Sequence, residues 1–215
     1  MQILVIGHVL NLEELKQKFG PQNNYKFVES GGDVSDTIHG ADVVFDFNPN
    51  MSFMKATYSQ FENPVFLNTS LISLTELFAQ ANLRARSSFF GFCGLPTFFN
   101  RPVLELSIGP QKDEILLKSI CSNLATDFVC VDDRVGLVTP RVVCMIINEA
   151  YYTLEEGTAS REDIDLAMKL GTNYPYGPFE WASRIGIKNV IELLEAVYND
   201  TQDDRYQICP LLKRE

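Results

Sequence analysis

The sequence predicts an α/β protein with a doubly wound N-terminal domain, followed by an all-α C-terminal domain. Up to residue 133, short apolar runs alternate with amphipathic stretches, which is typical of parallel strands connected by helices in a Rossmann-like layer. From residue 134 onward the pattern is helical only. We therefore expect two domains, 1–133 and 134–215, which suits a chain of this length.

The predicted elements follow from apolar periodicity and from helix start and stop signals. The strands are predicted at residues 2–6, 25–28, 41–47, 64–67, 88–93, 103–107 and 128–131. The first helix starts at Asn11, read as its N-cap, and the others are predicted at 35–38, 52–61, 73–81, 113–125, 141–156, 161–170 and 187–198. Residues 171–180 are expected to form a rigid turn, because glycines, prolines and aromatic residues alternate there.

Composition excludes several classes of function. The formal net charge of −10 and the absence of a Lys/Arg cluster argue against a nucleic-acid partner. Five scattered cysteines and only two histidines argue against a metal site and favour reduced thiols. The N-terminus lacks a basic leader, and no apolar run is long enough to span a bilayer. We therefore expect a cytoplasmic protein with no membrane association.

Several motifs in the second half of the chain stand at distinctive spacing. They are Asn148-Glu149-Ala150, Glu162-Asp163-Ile164-Asp165 and Tyr174-Pro175-Tyr176-Gly177-Pro178-Phe179-Glu180. Across about residues 134–198 this pattern resembles the C-terminal domain of the 3-hydroxyacyl-CoA dehydrogenases. Upstream, Asn68-Thr69-Ser70, the segment from Gly94 to Asn100, and Asp132-Asp133-Arg134-Val135-Gly136 resemble other segments of that family more weakly.

The resemblance implies where the family's chemistry should lie. In that family a histidine takes the substrate's hydroxyl proton, and a glutamate orients its imidazole. The histidine position falls here on Thr97 or Pro96, depending on the alignment, and the glutamate position falls on Ile108. No intact catalytic residue is therefore predicted. Ser70 and Asn100 remain as the candidate substrate-contacting residues, and His8 is an alternative base.

The loop after the first strand is poor in glycine. A dinucleotide fold uses glycines there for a tight turn and for close approach to the pyrophosphate. This chain has Gly7-His8-Val9-Leu10 instead, although Glu29 stands where a ribose-binding acid is expected. The candidate cofactor-binding residues are Gly7, His8 and Glu29, and the loop disfavours NAD as a cofactor.

The sequence therefore favours a divergent, shortened relative of 3-hydroxyacyl-CoA dehydrogenase with weak or absent activity and a ligand-binding or regulatory role. One alternative is an active NAD-dependent 3-hydroxyacyl-CoA dehydrogenase, similar to the 3-hydroxybutyryl-CoA enzymes of fatty-acid and butanoate metabolism. Another is a structural dimer without a small ligand. The expected partners are a second copy, paired through the apolar helix at 141–156, and an acyl-CoA ligand or a partner enzyme.

Overall fold

The computed structural model describes residues 1–84 and 86–215. These residues form two compact units. The sheet unit comprises Met1–Gly94 and Phe98–Leu137, and the helical unit comprises Leu95–Thr97 and Val138–Glu215. The first unit therefore continues beyond residue 133, where the sequence analysis placed the domain boundary.

The sheet unit contains seven strands within the described residues. They are Gln2–Gly7 (β1), Asn24–Glu29 (β2), Val43–Asp46 (β3), Val65–Asn68 (β4), Phe89–Phe92 (β5), Val103–Ile108 (β6) and Asp127–Cys130 (β7). Their order is β2-β1-β3-β4-β5-β6-β7. All neighbouring pairs are parallel except β5 and β6, which are antiparallel. The predicted doubly wound α/β fold is confirmed.

Five helices in the described part of the chain connect these strands. They are Val9–Phe19 (α1), Ser35–Ile38 (α2), Met51–Tyr58 (α3), Leu74–Ala81 (α4) and Glu114–Asn123 (α5). Asp133 caps the start of α4: its carboxylate accepts hydrogen bonds from the N–H groups of Leu74 and Thr75, each at 2.8 Å. Asp133 thus satisfies two backbone donors that the helix itself leaves without partners.

The sheet is buried on both faces, which explains the continuous apolar runs of the sequence. Along β1, Ile3 and Val5 belong to one core cluster, whereas Leu4 and Ile6 belong to the other. The first cluster is rich in phenylalanine, and the Phe45 and Phe66 rings stack at 4.6 Å. Each such buried ring contributes roughly 1.5–3 kcal/mol relative to an exposed one.

The helical unit contains five α-helices within the described residues. They are Thr139–Glu155 (α6), Arg161–Thr172 (α7), Pro178–Ile185 (α8), Ile187–Thr201 (α9) and Pro210–Lys213 (α10). Helix α6 packs against α8, α9 and α10. The buried Asn148 on α6 holds the segment between α9 and α10 in place. Its side chain donates to Gln207 O at 2.9 Å and accepts from Cys209 N at 2.8 Å.

Helix α8 was missed, because the sequence analysis extended a rigid turn through Glu180. The helix starts with Pro178, whose fixed φ suits the first helical position. Asp165, on α7, supplies the cap: its two carboxylate oxygens accept Phe179 N at 2.8 Å and Glu180 N at 3.1 Å. Gly177 is needed beside it, because a Cβ there would lie 2.2 Å from Asp165 Cγ.

Candidate functional site

At the start of α1, a side chain of the helix itself accepts a hydrogen bond from a backbone N–H group. The predicted N-cap, Asn11, is wrong: the helix begins at Val9, and His8 is the N-cap residue in extended conformation. Asn11 lies in the first turn and reaches back, so that its Oδ1 accepts the His8 N–H at 2.8 Å. A Cβ on Gly7 would lie only 2.7 Å from the same Oδ1.

This arrangement does not fit a dinucleotide pyrophosphate. Such a group needs backbone N–H donors and a close backbone approach at the start of the first helix. Here Asn11 Oδ1 already accepts the backbone N–H of His8, and the same oxygen lies where it would contact a Cβ on Gly7. The side chains of Val9 and Leu10 are exposed in the first turn. The residues at the start of α1 thus do not fit the pyrophosphate of NAD.

His8 and Glu29 form a pair at the carboxyl ends of β1 and β2. The parallel register aligns Gly7 with Glu29, which brings His8 Nδ1 to 3.1 Å from Glu29 Oε1. Both side chains are largely exposed to solvent. Two of the candidate cofactor residues therefore contact each other, and the imidazole hydrogen-bonds to the acid that was expected to bind a ribose.

Ser70 is fully buried in a small polar cluster after β4. Its backbone N–H and its hydroxyl both lie within hydrogen-bond distance of Asn68 Oδ1, at 3.1 and 2.6 Å. Gly94 N also donates to that oxygen at 2.9 Å, and Cys93 Sγ lies 3.3 Å from Ser70 Oγ. The Ser70 hydroxyl is thus occupied by the chain's own groups, and Asn68, which the sequence named only as part of a motif, organises the cluster.

Asn100 faces α1. Its backbone N–H donates to Glu14 Oε1 at 3.2 Å, and its side-chain amide donates to Gln17 Oε1 at 3.4 Å. Burial raises the pKa of Glu14, and the hydrogen bond from Asn100 lowers it. Ser70 and Asn100, the two candidate substrate-contacting residues, therefore have separate sets of hydrogen-bond partners.

The positions expected to carry the base and its partner hold no ionisable group. Thr97 has a φ of 76°, a conformation that a β-branched residue rarely adopts. Its Oγ1 is buried and makes no hydrogen bond within residues 1–84 and 86–215. Pro96 is exposed. Ile108, at the end of β6, pairs with Phe90 and packs against the aromatic core cluster.

A buried acid lies at the carboxyl end of β3, and the sequence analysis did not identify it. Asp46 accepts Asn48 N at 3.0 Å and the Tyr58 hydroxyl at 2.9 Å. Burial raises the pKa of Asp46 to about 6, against the lowering effect of these two hydrogen bonds. In the sequence, this buried acid could have been found as an aspartate at the end of an otherwise apolar strand.

Next to Asp46, a cleft of about 530 Å³ opens at the carboxyl ends of β1, β2 and β3. It is lined by Ile6, Ser30, Gly31, Asn48, Pro49, Asn50 and Phe53. Strand β1 lies between β2 and β3, so the chain reverses its direction of winding here, which is where doubly wound sheets bind ligands. None of the lining side chains is charged.

Two other kinds of site are absent from the described ranges. No group of three or more His, Cys, Asp and Glu residues there could hold a metal ion. No helix in these ranges combines the length and the apolar character needed to cross a membrane.

Comparison with known proteins identifies the family. The family model of the 3-hydroxyacyl-CoA dehydrogenase C-terminal domain matches residues 136–215. The chain is 44% identical over 84 residues to 3-hydroxyadipyl-CoA dehydrogenase of Escherichia coli, covering 39% of this chain and 18% of that protein. It is 32% identical over 148 residues to the probable 3-hydroxybutyryl-CoA dehydrogenase of Bacillus subtilis, covering 68% of this chain and 52% of that protein.

The fold is shared with solved structures of the same kind. The (S)-3-hydroxybutyryl-CoA dehydrogenase of Ralstonia eutropha superposes with a TM-score of 0.76 at 21% identity, over 99% of this chain and 92% of that one. The mostly parallel Rossmann-like sheet followed by a helical unit is thus the fold that this dehydrogenase also has. The chain belongs to the 3-hydroxyacyl-CoA dehydrogenase family. In sequence, it spans about half the length of the Bacillus subtilis relative, 52%.

Proposed function

We propose that this chain is a divergent member of the family with weak or absent dehydrogenase activity and a ligand-binding or regulatory role. The observation that carries the proposal is that Thr97 or Pro96, depending on the alignment, stands where the resemblance puts the family's histidine. A threonine hydroxyl does not ionise near neutral pH, so it cannot serve as general base in the way an imidazole does. Ile108 provides no carboxylate to assist it.

The start of α1 supports the same proposal. A family dehydrogenase needs a nicotinamide dinucleotide, and Asn11 accepts the His8 N–H at the helix start, where backbone N–H groups favour a pyrophosphate. Ser70 gives no independent support to a substrate-binding role, because its hydroxyl already interacts with Asn68. Asn100 likewise interacts with the side chains of α1.

An active NAD-dependent 3-hydroxyacyl-CoA dehydrogenase is the second candidate, and one observation favours it. His8 and Glu29 form an imidazole–carboxylate pair at 3.1 Å, the combination that general-base catalysis uses. The relatives also carry dehydrogenase names, among them 3-hydroxybutyryl-CoA dehydrogenase. In this second candidate, His8 would replace the missing base.

Turnover of acetoacetyl-CoA separates the two candidates. The purified chain is mixed with NADH and acetoacetyl-CoA, and NADH absorbance is followed against a protein-free blank. We expect no rate above the blank. A turnover of about 1 s⁻¹ or more, the lower end for ordinary enzymes, would contradict the proposal. If that rate is lost in His8→Ala and kept in His39→Ala, a control at the chain's other histidine, the second candidate is correct.

A homodimer through the helical unit is part of the proposal, and the surface of α6 supports it. Val142 is 52% exposed although it lies on a largely apolar helix, and a second copy would bury it. Sedimentation equilibrium should show a dimer that Val142→Glu dissociates. The matched control is Ile115→Glu, at an 84% exposed position on α5. A monomeric wild-type chain would contradict pairing and also the structural-dimer alternative.

The remaining parts of the proposal rest on the family and on sequence composition, not on the geometry of the site. They are a cytoplasmic location, a role near fatty-acid or butanoate metabolism, and an acyl-CoA ligand or a partner enzyme as the binding partner. Co-purification from the source cell under reducing conditions, with the cytoplasmic and membrane fractions analysed separately, tests the location and the partner together. Recovery in the membrane fraction would contradict this part.

A further inference from the structure

Another pocket, of about 410 Å³, lies wholly within the helical unit. Its walls come from α9, from α10 and from the segment that connects these two helices. This volume suits a small metabolite. The described residues that line the pocket include none of the candidate catalytic, substrate-contacting or cofactor-binding residues, so a ligand here would bind apart from the family's chemistry.

The wall between the two helices is held in place by hydrogen bonds from α6. Asn148 donates to Gln207 O at 2.9 Å and accepts from Cys209 N at 2.8 Å. Ile208, between these two residues, is buried and gives the pocket an apolar wall. A wall that is already fixed loses little conformational freedom when a ligand binds, which favours binding.

The pocket is lined by one acid and one base, Glu195 and Lys213. In the part of the chain that the structure describes, these two side chains form no salt bridge, either with each other or with a third group. By contrast, Glu192, about one turn earlier on α9, pairs with Lys188 at 3.6 Å. A ligand with a single charge would satisfy only one of the two lining groups, whereas a small zwitterion satisfies both, since an ammonium group donates hydrogen bonds and a carboxylate accepts them.

The remaining wall suits an apolar side chain on the ligand. Tyr198 is half-buried and lines the pocket together with Ile208. Within the described residues, the Tyr198 ring contacts neither another aromatic ring nor a cation. An unpaired ring packs favourably against a second ring, edge-to-face or offset. An aromatic side chain on the ligand therefore has both a ring and an aliphatic surface to contact.

We infer that this pocket binds an α-amino acid with an aromatic side chain. The carboxylate of the ligand pairs with Lys213, its ammonium group pairs with Glu195, and its ring packs against Tyr198 and Ile208. The inference goes beyond the proposed function, because neither an active nor an inactive dehydrogenase requires an amino-acid site in the helical unit. Glu195 and Lys213 are exposed, so each ion pair stays partly hydrated and contributes modestly to binding.

Calorimetric titration of the full chain with phenylalanine and three analogues tests the inference. Phenylalanine should bind with a dissociation constant on the order of 1 mM or below. Phenethylamine lacks the carboxylate and 3-phenylpropanoate lacks the ammonium group, so each should bind about threefold to tenfold more weakly. Alanine keeps both charges but lacks the ring, and it should also bind more weakly than phenylalanine.

Three results of this titration would overturn the inference. They are no saturable phenylalanine binding at about 10 mM, equal binding of phenylalanine and either singly charged analogue, and equal binding of phenylalanine and alanine. The first two would remove the zwitterion site, and the third would remove the assignment of an aromatic side chain. None of these measurements depends on turnover, so the absence of dehydrogenase activity is judged separately.

Two variants locate the site. Glu195→Gln and Lys213→Gln should each weaken phenylalanine binding about threefold to tenfold, because each removes one charged contact. Glu195→Gln should not weaken binding of 3-phenylpropanoate, which has no ammonium group for Glu195 to contact. Lys213→Gln should likewise not weaken binding of phenethylamine, which has no carboxylate. Both positions are exposed, so melting temperatures should stay near that of the wild type.

Matched controls separate a contact in the pocket from a change in overall charge. Glu192→Gln and Lys188→Gln alter the net charge by the same amounts on α9, and neither residue lines the pocket. Both controls should bind phenylalanine as the wild type does. Unaltered affinity in Glu195→Gln and Lys213→Gln, or an equal loss in the controls, would place the amino acid elsewhere and overturn the inference.

Discussion

Replacing the buried acid at the end of β3 with its neutral amide should stabilise this protein at neutral pH. Asp46 has no solvent exposure, and burial raises its pKa to about 6 from the ordinary 3.8. Asn48 N and the Tyr58 hydroxyl donate to its two oxygens. An asparagine keeps the shape of the side chain and removes the charge.

The size and sign of the effect follow from the raised pKa. A shift of roughly 2 units corresponds to about 3 kcal/mol, at about 1.4 kcal/mol per unit. Between pH 3.8 and about 6 the folded state holds a proton that the unfolded state has lost, so stability decreases as the pH rises through this window. Above about pH 6 the full penalty remains. Asp46→Asn should therefore gain up to about 3 kcal/mol at pH 7.5 and much less at pH 4.

Urea unfolding of the wild type and Asp46→Asn across this pH range provides the assay. The difference between the two proteins isolates Asp46, because the other carboxylates titrate in both. Tyr58→Phe is the informative companion variant: it should destabilise the wild type by about 1–3 kcal/mol at pH 7.5, since it removes a donor to a buried charge. In the Asp46→Asn background its cost should be smaller. A variant Asp46→Asn that is less stable than wild type at pH 7.5, or a gain that does not change with pH, would refute the reasoning.

Two further predictions concern the helical unit and Thr97. Asp165→Ala should lower the free energy of unfolding by about 1–2 kcal/mol, because Phe179 N and Glu180 N lose their cap. Urea unfolding should show a smaller loss for Asp165→Asn. Equal stability of the wild type and both variants would contradict the capping role. Thr97→Gly should raise the free energy of unfolding by about 1 kcal/mol, because the φ of 76° strains a threonine and not a glycine. Thermal unfolding of this variant beside Thr97→Ala, which keeps a strained Cβ, tests the prediction. A glycine variant less stable than the alanine variant would contradict it.

The fold could be predicted from the sequence because its signals are local. The apolar runs of β1 and β3 require burial on two faces, and the change to helical periodicity near residue 133 marks the second unit. Helix α8 escaped prediction for a physical reason: the residue that caps it, Asp165, lies on the preceding helix. A cap supplied from another element leaves little trace in the local pattern.

The candidate site was less predictable, because side-chain contacts there depend on how the loops fold. Asn11 was wrongly predicted as the N-cap of α1: the helix begins two residues earlier, at Val9, so Asn11 lies inside the first turn. Ser70 and Asn100 were expected to share a site, and each is instead held by neighbours distant in sequence, such as Cys93 and Glu14. The absence of an ionisable side chain at Thr97 was readable directly from the sequence; its positive φ was not.

We propose that the hydrogen bond of Asn11 at the start of α1 excludes the dinucleotide of the family from this chain. Calorimetric titration of NADH into the purified wild-type protein tests it most directly. We expect no saturable binding heat below millimolar concentration, because Asn11 already accepts the His8 N–H at the start of α1. A dissociation constant in the micromolar range would contradict this expectation and favour a working dehydrogenase.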